Sequence, residues 1–165
     1  MAAGDTIADR QLGQPDFFHA VPNTVDGGSI NDPDHIIIDR SVTPHRLFVT
    51  DEANHRVLGY SNINALVTGS AADLVVGQPD FFSSGCNTGG GGPTASTLCF
   101  PHGLALDSLH NLYVADTSNN RVMVFADPFA TKARTGQTAG FTALMVFGQG
   151  GDFTSQCVPF WKLHP

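Results

Sequence analysis

Three cysteines carry the most distinctive chemistry in the chain: Cys86, Cys99 and Cys157. Cys86 and Cys99 flank a glycine-rich stretch, Asn87 to Ser96, while the matching positions of an earlier, similar segment are Pro22 and Asn31, neither a thiol. Two cysteines present together in one segment and absent together in the other predict a disulfide, with two separate thiols as the alternative. A bridge closing a loop of this size stabilises by on the order of 3 kcal/mol and belongs in an oxidising compartment. Cys157 follows Gly148 at the spacing by which Cys86 follows Gly77, so it reads as the first member of a next pair. Its fate is either a free thiol or a bond to another subunit.

Charged residues repeat in the same way. Asp51 precedes Arg56 as Asp116 precedes Arg121, which predicts two ion pairs, each bracing a turn between strands. Recurrence in both segments argues for structure, since a reaction centre is needed once. Asp32, Asp34, His35 and Asp39 form a group of metal-ligand types, but their spacing is diagnostic of no ion, and Asp39 has a counterpart in Asp107 that reads as a strand-end turn residue. Gly89 to Thr94 lacks the Gly-Lys-Ser/Thr ending of a phosphate loop. No Gly-x-Ser-x-Gly, zinc-protease histidine pair or nucleophile with a local base occurs, so no catalytic residue, metal or cofactor is expected.

The elements that position these residues are short strands. Gly 18 and Pro 10 cluster between short apolar runs, and long helical periodicity is absent. At 165 residues with 41% hydrophobic content, the chain is large enough for a buried core. The formal net charge of -7 disfavours a nucleic-acid partner. No stretch is long and apolar enough to span a bilayer, and Met1 to Asp5 has neither the basic nor the apolar region of an export signal.

An internal repeat organises the whole. Gly13-Gln14-Pro15-Asp16-Phe17-Phe18 recurs letter for letter as Gly77-Gln78-Pro79-Asp80-Phe81-Phe82, and degenerately as Gly148-Gln149-Gly150-Gly151-Asp152-Phe153. Within the units, Arg46 to Asp51 matches Asn111 to Asp116, and Asn54 to Tyr60 matches Asn119 to Phe125. Pro33 to Asp39 matches Pro101 to Asp107, which leaves three extra residues in the first unit's turn, Arg40 to His45. The expected strands are 35–39, 46–50, 56–60 and 73–76 in the first unit, and 103–107, 111–115, 121–125 and 143–147 in the second. Consecutive apolar residues such as Ile36-Ile37-Ile38 and Leu74-Val75-Val76 want burial on both faces of a sheet, as in a propeller blade stacked between neighbours.

The run Pro101-His102-Gly103-Leu104-Ala105-Leu106-Asp107, then Asn111-Leu112-Tyr113-Val114-Ala115-Asp116, then Asn119-Asn120-Arg121-Val122, closely resembles the NHL repeat. The resemblance covers roughly residues 8 to 153. It is tight in the second unit and looser in the first, where Asp34-His35 replaces the His-Gly step. It implies an all-β fold of β-propeller blades, most often six to a ring, whose usual work is binding proteins, glycans or, in some members, RNA. Some six-bladed relatives are metal-dependent lyases or lactonases, which makes His35 and His102 the residues to test for that alternative.

The expected organisation is one partial propeller domain: an orphan outer strand at 8–13, a first blade at 14–77, a second at 78–148, and the start of a third unit or a tail at 149–165. Two blades side by side are expected to leave two outer sheet faces open to water. The expected function is a non-enzymatic scaffold for binding or self-assembly. The expected partners are copies of itself in a ring or filament, with a protein or glycan ligand, no nucleic acid and no membrane span. The cysteine pair points to an extracellular or periplasmic setting.

Overall fold

The computed structural model describes residues 7–18, 20 and 23–155. Period-2 apolar patterning builds two four-stranded antiparallel sheets in simple meander order. The first consists of β1 (Ile36–Asp39), β2 (Arg46–Asp51), β3 (Arg56–Tyr60) and β4 (Leu74–Val76). The second consists of β5 (Pro101–Leu106), β6 (Leu112–Asp116), β7 (Arg121–Phe125) and β8 (Met145–Phe147). These are all-β, propeller-like blades. The repeat extends to register, with Asp51 opposite Arg56 in one sheet and Asp116 opposite Arg121 in the other.

The main core lies between the two sheets. Phe48, Val57, Leu74 and Val76 of the first face Leu104, Leu112, Val114, Met123 and Val146 of the second. A helix at Pro128–Thr135, not read from the sequence, caps this seam and stacks Phe129 on Phe48 at 5.1 Å between ring centroids. Its signals are local: Asp127 accepts from the amides of Phe129 and Ala130, Pro128 opens the first turn, and Gly136 closes the last at φ +75°.

The structure corrects three expectations. Residues 8–13 form no strand; Gly13 makes a single isolated bridge to Ser29, because no described strand lies alongside to complete a ladder. The segment nevertheless packs as a cover, with Gln11 accepting from the Gly69 amide and Leu12 and Ile30 lying on the first sheet's far face. That face, made by Leu47, Val49, Leu58, Tyr60 and Val75, is therefore buried, and the two open faces expected reduce to one. Ile36 of the apolar triplet is 62% exposed, while Ile37 and Ile38 pack on opposite sides.

Candidate functional site

Each sheet is organised around the turn between its second and third strands. After Asp51 the chain makes a 3-10 turn, Glu52–Asn54, and reverses at His55 in the left-handed region; after Asp116 it does the same through Thr117–Asn119 and Asn120. The reversal brings an arginine back under an aspartate. Arg56 Nε donates to Asp51 Oδ2 at 2.6 Å and Arg121 Nε to Asp116 Oδ2 at 2.7 Å, all four side chains fully buried.

The remaining guanidinium donors reach backbone carbonyls. Arg56 binds the carbonyls of Phe81, Asp26 and Ser29, and Arg121 binds those of Phe153, Thr94 and Thr97. The aspartates are saturated in parallel: Asp51 accepts from the Asn31 amide and the Asn54 side chain, Asp116 from the Cys99 amide and the Asn119 side chain. Buried charges tolerate such a setting when paired and fully hydrogen-bonded, so these clusters are structural hubs.

The repeated Gly-Gln step serves the same turns. Gln78 Nε2 donates to the carbonyls of His55 (3.1 Å) and Gly85 (3.0 Å), and Gln149 Nε2 to those of Asn119 and Asn120. Gly77 precedes it at φ +93°, and a Cβ there would sit 2.5 Å from Leu98 Cδ1, so only glycine fits.

Cys86 and Cys99 form a disulfide. It ties the glycine-rich connection beside Asn87, whose side chain exchanges hydrogen bonds with Asn119. Asn23 and Asn54 make the same exchange in the first blade, so the bridge is added to a contact that both units share. Cys157 lies outside the described residues.

Residues 98–125 match the family model of the NHL repeat. The chain carries an NHL repeat. The match runs from Leu98 through β5, β6 and β7, and so contains the Asp116–Arg121 hub. No curated protein matches the chain.

Around the NHL repeat, side chains that self-comparison of the sequence did not reveal join the two blades. Arg46 of the first pairs with Asp127 of the second at 3.2 Å, and Lys132 on the helix with Asp73 at 3.4 Å. His110 Nδ1 lies 2.9 Å from Asp39 Oδ2, and His102 Nε2 lies 2.8 Å from Glu52 Oε1. Among the described residues, two of the metal-ligand types singled out in the sequence, Asp34 and His102, join a ligand-like group, with Glu52 as its third member. Asp39 is instead a turn residue that accepts from the Ser41 amide and hydroxyl. Burial alone would raise the Asp39 carboxyl; those Ser41 bonds and nearby His110 outweigh it and hold it below the usual carboxylate value.

Asp39, Ser41 and His110 have the residue types of a hydrolytic triad without its geometry. The Ser41 hydroxyl donates to Asp39 at 2.5 Å, and the same imidazole nitrogen, Nδ1, faces both partners. A triad needs the serine on one ring nitrogen and the carboxylate on the other. Another histidine, His55, sits at the seam with its Nδ1 accepting from the Phe100 amide. Burial lowers its pKa against the opposing influence of Asp51, Glu52 and Asp116.

Among the described residues, the second sheet's far face is the open one. Tyr113 and Val122 are half-buried there, with Met145 and Phe147 47% and 50% exposed. By the sequence period these four correspond to Phe48, Val57, Leu74 and Val76, all at 2% or less against the second sheet. Among the described residues, no helix is long and apolar enough to cross a membrane.

Proposed function

We propose that the chain is a non-enzymatic propeller module, a scaffold for binding or self-assembly whose second blade takes a further blade on its far face. One correspondence carries this reading: the positions that bury the first blade against the second are apolar again in the second, as Tyr113, Val122, Met145 and Phe147, and there they meet water. Head-to-tail stacking, which gives a ring where the rotation closes and a filament where it does not, sets the first blade's far face on this one and so requires the cover over that face, with Leu12 and Ile30, to move aside. A second copy of the chain is the partner in this reading. The non-enzymatic part rests on the Asp39–Ser41–His110 geometry and on the structural use of the recurring Asp–Arg pairs. With the disulfide, the module suits an oxidising setting outside the cytoplasm.

Sedimentation velocity on the 165-residue chain tests the assembly. Oligomers are expected for the parent, and monomers for Val122→Asp and Phe147→Asp with unchanged circular dichroism. A parent that stays monomeric at high concentration sinks self-assembly, and turnover in a broad lyase and lactonase screen sinks the non-enzymatic part.

A further inference from the structure

Asp34, Glu52 and His102 come from three elements of two blades. Asp34 stands two residues before β1, Glu52 opens the 3-10 turn after β2, and His102 is the second residue of β5. One ligand atom from each lies within 4.8 Å of the other two. The backbone holds them there. Glu52 N donates to the Asp32 carbonyl, and His35 exchanges bonds with Thr50 on the neighbouring strand, which fixes the chain on both sides of Asp34.

His102 is presented by an irregularity. The β5–β6 register shifts between Pro101 and Leu104, a stretch whose counterpart in the first blade, Pro33 to Ile36, leads up to the first pair of the β1–β2 ladder. Such bulges re-aim side chains. Neither carboxylate is neutralised by a permanent cation: among the described residues, the Lys and Arg ion pairs go to Asp127, Asp51, Asp116 and Asp73. Two carboxylates and an imidazole thus converge on one point, with the imidazole as the only basic partner.

We infer that Asp34, Glu52 and His102 bind one divalent transition-metal ion of the zinc class at the seam between the blades. One nitrogen and two oxygen donors suit a borderline ion better than calcium or magnesium, which prefer oxygen-rich sets. Ligand atoms on a tetrahedral zinc stand roughly 3.3 Å apart. His102 Nε2 and Glu52 Oε1, at 2.8 Å, need open only slightly to admit the ion. Three protein donors leave a position for water. Because the ligands come from both blades, the ion binds the docked pair and clips it together. This site lies on the seam between the blades and does not depend on what covers the far face of the second.

Calorimetric titration of untagged, chelator-treated protein with zinc chloride, and the visible spectrum with cobalt chloride, test the site. One ion per chain is expected, with a cobalt band typical of fewer than six ligands and a higher Tm on zinc addition. His102→Gln and Glu52→Gln should each weaken zinc by at least about tenfold and remove the Tm shift. His110→Gln, at a different seam contact, should leave both intact. Absence of zinc and cobalt binding by the parent overturns the site, and so does parent-like binding in folded His102→Gln or Glu52→Gln. Should one of these fail to fold, the other carries the test.

Discussion

Arg56 and Asp51 meet at 2.6 Å with both side chains fully buried, and the same guanidinium holds three backbone carbonyls from before and after its own sheet. Truncating it leaves a buried carboxylate and three carbonyls short of donors. Arg56→Ala is therefore expected to destabilise by about 3–5 kcal/mol in urea unfolding. Arg56→Lys should recover little, since one ammonium cannot reproduce the fork. A loss under about 1 kcal/mol for the alanine variant would show that the hub is not a keystone of the blade.

The Cys86–Cys99 bridge closes a connection of sequence separation 13. Replacing both cysteines with serine should cost about 3 kcal/mol, mostly by freeing the unfolded chain. The parent measured in reductant should move by a similar amount. If both comparisons show no change, the shared Asn87–Asn119 contact alone holds the connection.

Tyr60 is buried and its hydroxyl has no partner among the described residues. Burial, with nearby Asp51 adding to it, pushes its pKa up to about 12. The raised value in the folded state means that this stability is complete below the ordinary tyrosine value of about 10 and is lost as pH climbs toward 12. Tyr60→Phe should be neutral or stabilising within about 1 kcal/mol at pH 7, and should flatten the alkaline loss seen in denaturant titrations. A clearly destabilised phenylalanine variant would reveal a hydrogen bond to that hydroxyl.

Acid acts on the seam between the blades. The Asp39 and Asp73 carboxyls face burial that raises them, but the Ser41 bonds and His110 for one, and the Ser61 bonds and Lys132 for the other, hold both below the ordinary value. Depressed carboxylates stabilise above their unfolded value of about 4, and that contribution disappears as pH falls through the lower folded values. Stability should thus drop below about pH 4, with a shallower fall in Asp39→Asn. An Asp39→Asn profile that parallels the parent would remove Asp39 from the acid response.

The sequence discloses what occurs twice. The Asp–Arg hubs, the strand periods and the Gly-Gln steps are visible because each unit can be read against the other. The seam contacts were not legible for the same reason: Arg46–Asp127, Asp39–His110 and Asp34–Glu52–His102 belong to the single junction between the two blades, and no second copy marks them. Residues 8–13 show the opposite error. Ala8 to Gly13 resembles Ala72 to Gly77, whose central residues form β4, but a strand needs a ladder as well as a pattern, and here the segment lies as a cover instead. The helix at Pro128–Thr135 carried readable Asp-Pro and Gly punctuation, but its one short apolar face gave no sustained period.

By the sequence period Gln78 opens the second unit, yet its amide grips the turn of the first, and Phe81 three residues on supplies a carbonyl to Arg56. The stretch that folds is therefore displaced along the chain from the stretch that repeats. A segment excised at the Gly-Gln boundary would leave its own latch behind and carry off its neighbour's. Anyone grafting, duplicating or circularly permuting these units should place the junction after the Asp-Phe-Phe step, so that Gln78 and the Phe81 carbonyl stay with the turn and the arginine they hold.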